Sequence, residues 1–250
     1  LTGFAEEDRP KASEAMQLFK EANRMLNQLD AVYQTHGVVN IMDANADGDD
    51  LLLNGKRFPL LRQQAAKLKK DDPFLCLSDF VRPLSSGITD KIGAFATTVD
   101  AEMEQLYAED DYKRMLAQTL SDRLAEATAE KLHEDVRKKL WGYAPDENLS
   151  VKDLHNEKYQ GIRPAVGYPS LPDQSINFLL DELLDMKQIG ISLTENGMMK
   201  PHASVCGLMF AHPASRYFSI GKIGEDQLAD YAARRGMSIE ETKKFLAANL

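Results

Sequence analysis

At 250 residues the chain can bury a substantial core, as one large domain or two small ones. Hydrophobic residues make up 43% and charged residues 28%, an ordinary globular profile, and no apolar run approaches the roughly 20 residues of a membrane span. Thirty Lys and Arg against 39 Asp and Glu give −9, which argues against nucleic acid as the main partner, because phosphate binding needs a concentrated basic face.

Cys76 and Cys206 stand far apart in no metal-ligand spacing and read as reduced, buried and cytoplasmic. The chain opens at Leu1 with neither methionine nor a charged-then-apolar leader, so no signal peptide is expected. A start in mid-pattern suggests a piece of a longer protein.

Asp8-Arg9-Pro10 looks like a helix start, and apolar residues then recur at helical spacing from Ala12 to Leu29. Gly37 to Met42 follows as a strand. Asp43, Asn45, Asp47 and Gly48 match the first half of a calcium loop, but Asp50 and Asn54 stand where an apolar residue and a bidentate Glu belong. The stretch reads instead as a hairpin turn, with Leu51-Leu52-Leu53 returning. Phe58 to Leu61 is a short strand, Lys67 to Asp72 a charged connection, Asp90 to Val99 a buried strand and Ala101 to Ala108 helical.

One long helix is expected from Tyr112 to Trp141, its buried stripe marked by Met115, Leu116, Leu120, Leu124, Ala127, Leu132, Val136 and Leu140. Asp122, Glu126, Glu130 and Glu134 form a carboxylate row on another face, with Arg137 continuing the spacing. That row is either a solvated face or the flank of a site.

A short helix begins at Asn148-Leu149-Ser150, and Asp173 to Lys187 is amphipathic, closed by Gly190. Ile191 to Thr194 is a strand. Ala203 to Phe210 and Tyr217 to Ile220 read as a strand pair around His212-Pro213-Ala214. Glu225 to Arg235 is helical, Gly236 breaks it, and Ser238 to Glu241 is a capping box for the last helix. No repeat or linker interrupts the chain, so one domain is expected.

The stretch Gly161 to Ser170 holds two glycines, two prolines, Arg163 and Tyr168. Pro164 and Pro169 stiffen an extended segment, and Gly161 and Gly167 permit sharp turns or bare backbone. Arg163 offers a planar fork for a carboxylate or phosphate, and Tyr168 a flat ring. This suits a small-molecule cradle, although composition alone favours the plainer reading of a loop crossing the domain. No P-loop, GxGxxG, HExxH, GxSxG or CxxC appears, the five histidines are scattered, and nothing nominates a nucleophile or a metal site.

Four stretches taken together, Asp122-Arg123-Leu124-Ala125-Glu126-Ala127, Leu132-His133-Glu134 to Trp141-Gly142-Tyr143, Gly161 to Pro169, and Arg216 to Ile223, resemble the C-terminal activation domain of cobalamin-dependent methionine synthase. The likeness runs in order over nearly the whole chain. It implies an α+β fold: a single curved domain with a largely antiparallel sheet and flanking long helices. It also implies a module that binds S-adenosylmethionine beside a cobalamin-binding domain of the same protein. When the cofactor drifts to cob(II)alamin, flavodoxin or a related reductase donates an electron and S-adenosylmethionine restores methylcobalamin.

By the same resemblance Arg163 pairs with the ligand carboxylate, and Pro164, Ala165, Gly167 and Tyr168 line the ligand. Tyr217, Phe218 and Ser219 close over its adenosine end. Glu126 lies near the site, and Asp122 faces the cobalamin domain. The family's aromatic-rich opening segment, with an aspartate for the ligand ammonium, is expected upstream of Leu1, and Phe218 stands where a tyrosine is common. Two other classes compete: a docking domain with little ligand binding of its own, and a self-sufficient methyltransferase.

Overall fold

The computed structural model describes residues 9–64 and 72–250. Helix α1 (Arg9–Asp30) carries the recurrence read from Ala12 to Leu29 and buries Ala12, Met25 and Leu29. Its expected cap, Asp8, and the charged connection up to residue 71 lie outside the described residues.

The fold is built on two long strands. Strand β1 (Thr35–Asp47) turns at Gly48-Asp49 into β2 (Asp50–Leu53), and β3 (Lys56–Pro59) adds outside it. Strand β4 (Asp90–Val99), with the boundaries read from sequence, pairs antiparallel with β1 from Thr35 opposite Val99 to Ala44 opposite Asp90.

The calcium-like stretch is mostly strand. Met42, Ala44 and Ala46 are buried while Asp43, Asn45 and Asp47 point the other way, the period of two that a half-buried strand requires. Its acids are engaged by basic side chains: Lys91 donates to Asp43 at 2.6 Å, Arg57 to Asp47 and Asp50 at 2.7 Å each, and Arg62 to Asp49 at 2.7 Å.

Helix α2 (Asp111–Asp135) starts at Asp110, whose side chain accepts from the Lys113 amide at 3.1 Å, and continues into a π turn over Val136–Leu140. The expected stripe is borne out at Leu116 and Val136, which are buried, and corrected elsewhere. Met115 and Leu140 are more than half exposed, and the line buried on the sheet is Ala117, Ser121, Ala125, Ala129, His133 and Arg137, every fourth residue. Small residues let the helix lie directly on the strands, close enough for Thr97 Oγ1 to donate to the Ala125 carbonyl at 3.0 Å. The larger residues flank that line.

Helix α3 (Val151–His155) is capped by Ser150, and α4 (Ile176–Leu184) packs on the sheet face opposite α2. Strands β5 (Ser192–Leu193) and β6 (Met199–Lys200) make a small separate hairpin, and β7 (Ser204–Met209) pairs with β4. Among the described residues the main sheet runs β3-β2-β1-β4-β7, antiparallel throughout. Ile92, Ala94 and Ala96 meet Leu180 and Leu184 on one face, and Phe95 meets Ala129 and Val136 on the other.

Helix α5 (Glu225–Arg235) ends at left-handed Gly236, and Ser238 caps α6 (Ile239–Phe245) by accepting from the Glu241 amide at 3.1 Å. Cys76 and Cys206 are free and buried. No helix among the described residues is long and apolar enough to cross a membrane. The expected α+β class, with a largely antiparallel sheet and flanking helices, is the class observed.

The strand pair expected at 203–210 and 217–220 does not form. The open edge of β7 is taken by Gly161 to Val166 instead. Ile162 and Phe210 exchange backbone hydrogen bonds at 3.0 and 2.9 Å, Leu208 donates to the Pro164 carbonyl at 3.1 Å, and Val166 to the Cys206 carbonyl at 2.9 Å. With that edge occupied, 217–220 packs irregularly over residues 168–171: Ser170 Oγ accepts from the Phe218 amide at 3.1 Å, and Ile220 donates to the Pro169 carbonyl at 2.9 Å.

Candidate functional site

The cradle is rigid because it is tied to β7 along its length. The approach is so close that only bare backbone fits. A Cβ on Gly207 would stand 2.2 Å from the Pro164 carbonyl oxygen, and one on Gly161, at φ +87°, would stand 2.4 Å from that of Phe210. Beyond Val166 the chain doubles back, with Gly167 donating to Leu171 and Leu171 to Tyr168 at 2.9 Å each. This turn lifts Tyr168 away from the sheet, and its side chain is 53% exposed.

Between the cradle and α2 lies a cleft of about 580 Å³. Phe95, Ala129 and Val205 give it an apolar lining from the sheet and helix; Arg163, Pro164, Ala165, Tyr168, Pro169 and Ser170 line it from the cradle; Tyr217 and Phe218 come from the irregular segment. Glu126 and Glu157 add carboxylates. A cleft of this size, with aromatic faces, one guanidinium and two acids, suits a small, polar, partly flat ligand.

Most residues named from sequence thus converge. Tyr168 Oη lies 3.5 Å from Glu126 Oε1, and partial burial together with the Glu126 charge pushes its hydroxyl pKa upward. The Arg163 amide donates to Tyr217 Oη at 3.1 Å, which fixes the irregular segment to the cradle. Gly167 and Ser219 do not line the cleft; Gly167 makes the turn, and the Ser219 carbonyl accepts from Gln63 at 2.7 Å. Asp122, one turn before Glu126, lines a smaller neighbouring cleft of about 270 Å³ that shares Glu126, Tyr168 and Val205 with the first. Its companion Arg123 pairs with Glu126 at 2.6 Å.

Sequence reasoning left out the groups behind Arg163. Its Nη2 pairs with Glu130 Oε2, its Nη1 donates to Tyr159 Oη at 3.1 Å, and His133 Nδ1 stands 3.5 Å from the same nitrogen. Behind these, fully buried Arg137 makes a two-pronged bond to Glu147 (2.9 and 2.7 Å) and lies 4.4 Å over the Tyr159 ring. Burial, then the charges of Arg137 and Arg163, drive the His133 pKa well below its usual value, so this imidazole is neutral at neutral pH. A neutral ring beside these cations can accept from Arg163 through Nδ1, and its Nε2 lies 3.3 Å from Tyr143 Oη.

The aromatic residues at 141, 143 and 159 around His133 were the available signal. Glu157, with φ +52°, carried no sequence signal at all. Among the described residues no cluster of His, Cys, Asp and Glu could hold a metal ion. Cys206 beside the smaller cleft is held protonated by burial, which pushes its thiol up to about 12.

Fold and site together define an α+β module built around one cleft for a small molecule. The chain belongs to the activation-domain family of vitamin B12-dependent methionine synthase, whose model matches residues 4–236. A solved structure described as the MetH reactivation domain bound to AdoHcy is 45% identical, with a TM-score of 0.88 over 95% of this chain and 78% of that one.

Proposed function

We propose that this chain binds S-adenosylmethionine in the cleft and holds it as methyl donor for reductive reactivation of cobalamin. Arg163 carries the reading. Its Nη1 and Nη2 are engaged by Tyr159 and Glu130, while its Nε makes no hydrogen bond among the described residues, and Arg163 lines the cleft. A guanidinium fixed from behind, with donor capacity left over, fits an amino-acid carboxylate. That the solved relative carries AdoHcy, the demethylated form of this donor, supports the same ligand.

In this reading Pro164 and Ala165 present backbone, Gly167 makes the turn that carries Tyr168, and the Tyr168 ring covers the ligand. Tyr217 and Phe218 stack at the adenosine end, with Ser219 beside them. Glu126, near the sulfonium, favours a cationic ligand over its neutral product. Asp122 faces a cobalamin-binding domain elsewhere in the full protein.

Cobalamin supplies the methyl-accepting metal. Flavodoxin or a related cytoplasmic reductase would supply the electron that reactivation needs, and S-adenosylmethionine held here would supply the methyl group, leaving S-adenosylhomocysteine. The part of this chain is to bind, orient and shield the donor.

Calorimetric titration with S-adenosylmethionine tests this. The unaltered chain should bind, and Arg163→Ala should weaken binding by about 1.5–3 kcal/mol, roughly 10- to 150-fold. Binding only by a chain extended upstream would place an essential ligand contact before Leu1. No binding by either would leave the docking-domain reading.

A further inference from the structure

Glu130 is absent from the cleft lining and yet touches the residue on which the ligand reading turns. It sits one turn after Glu126 on α2. Its Oε2 pairs with Arg163 Nη2, and its Oε1 is buried with no hydrogen-bond partner. A carboxylate with one oxygen so deprived is costly to keep ionised unless its charge is matched closely. Among the described residues the cation paired with it is Arg163, whose side chain is only 20% exposed.

Arg163 is gripped from two further directions. Tyr159 Oη accepts from Nη1, and neutral His133 stands beside the same nitrogen. Tyr159 is itself fixed, edge-on to His133 at 5.1 Å and beneath Arg137. A lone arginine on a loop has several rotatable bonds and many positions for its head. Here three side chains from two elements, α2 and the segment before the cradle, leave it one.

We propose that Glu130 is a positioning residue for ligand capture. It holds the Arg163 guanidinium so that its unengaged edge stays aimed into the cleft, and it does not itself contact the ligand. The inference rests on the S-adenosylmethionine reading and specifies how Arg163 is made ready. The opposing possibility is definite: Glu130 could instead compete with the ligand carboxylate for Arg163, and removing it would then strengthen binding. The two roles predict opposite signs. Confinement from three sides favours positioning, because a competitor needs no support from Tyr159 and His133.

The test is titration of the intact chain with S-adenosylhomocysteine, using Glu130→Ala, Glu130→Gln, Arg163→Ala and the double variant Glu130→Ala/Arg163→Ala. Thermal unfolding of each confirms folding. Glu130→Ala should bind about tenfold more weakly. Glu130→Gln, which keeps an oxygen to accept from Nη2, should recover most of that loss, even if Glu130→Ala proves too unstable to titrate. The double variant should bind no worse than Arg163→Ala, since Glu130 acts only through Arg163.

Equal or tighter binding by Glu130→Ala, or tighter binding by Glu130→Gln, overturns the proposal. So does a full tenfold loss in the Arg163→Ala background, which would make Glu130 a direct contact or a general structural support. No binding by the unaltered chain would overturn the ligand reading, and this inference with it.

Discussion

The molecule holds two buried networks of arginine, carboxylate and tyrosine, on different sides of the sheet, and they are finished differently. Beside α4, Asp173 is saturated. It accepts from the Ser175 amide and Ser175 Oγ at 2.8 Å each and from Tyr231 Oη at 2.7 Å, with Arg235 Nε 3.5 Å away. It adjoins no cleft described above, and it ties α5 to the loop before α4.

Behind the cradle the network stays open. Arg137 Nη1 and Glu130 Oε1 are buried without hydrogen-bond partners, as Arg235 Nε is beside Asp173, but here the network also contains a residue that lines the cleft, Arg163, with Nε unengaged among the described residues. Buried polar groups are nearly always paired. The network around Asp173, whose carboxylate is saturated, supports the fold; the one beside the cleft has capacity for something else.

The largest effect should come from the closed network. Asp173→Ala strands Arg235 and Tyr231 in the interior. It should cost about 3–5 kcal/mol of stability, read by urea unfolding. Ligand affinity, measured where the variant is still folded, should stay within about twofold, because none of these groups lines the cleft. A selective loss of binding at unchanged stability would break the comparison.

An intermediate effect is expected where the cradle meets β7. Gly207→Ala puts a methyl 2.2 Å from the Pro164 carbonyl, and both are backbone, so neither side can yield by a rotamer change. The cradle must lift from the strand edge, costing about 1–3 kcal/mol by overpacking. Arg163 and Tyr168 move with it, so here stability and affinity should fall together, read by unfolding and titration on one sample. Loss of stability with intact binding would show that the cleft does not depend on the cradle's attachment.

How far the sequence reveals this depends on whether the signal is local. Strand β4 and helix α5 have the boundaries read for them, because apolar runs and a helix-ending glycine are written into neighbouring residues. The cradle was legible for the same reason, its prolines, glycines and arginine being contiguous. Tyr217 to Ile220 has strand composition and no strand, because the edge it would pair with is taken by a segment some fifty residues earlier.

The stripe of α2 was read correctly at Leu116 and Val136 and misread at Met115 and Leu140, because the first four turns of its contact line are alanine and serine, and size was taken for burial. Spacing alone could not divide the carboxylate row; only the family resemblance singled out Asp122 and Glu126. Glu126 and Glu130 reach the cradle, whereas Glu134 is held by Lys131 at 2.8 Å, and only packing decides which turn of the helix faces the site.

The smallest effect is a pH dependence that belongs to the open network alone. His133 is faced by Arg137, Arg163, Tyr143 and Tyr159, with Glu130 and Glu147 beyond the two arginines. Its folded pKa lies below its unfolded value near 6.5. The unfolded chain therefore binds a proton first on acidification. His133 contributes stability in full above the unfolded pKa, and loses it progressively as pH falls from there toward the folded pKa. The slope is at most about 1.4 kcal/mol per pH unit for one proton. His133→Gln keeps an acceptor for Arg163 and cannot titrate. Urea unfolding of both chains at pH 7.5, 6.5 and 5.5 should show the unaltered protein losing more stability on acidification than His133→Gln, with ligand affinity at pH 7.5 little changed by the substitution. Equal pH dependence in the two would mean that folding does not lower the His133 pKa, and that burial does not keep the ring neutral on acidification.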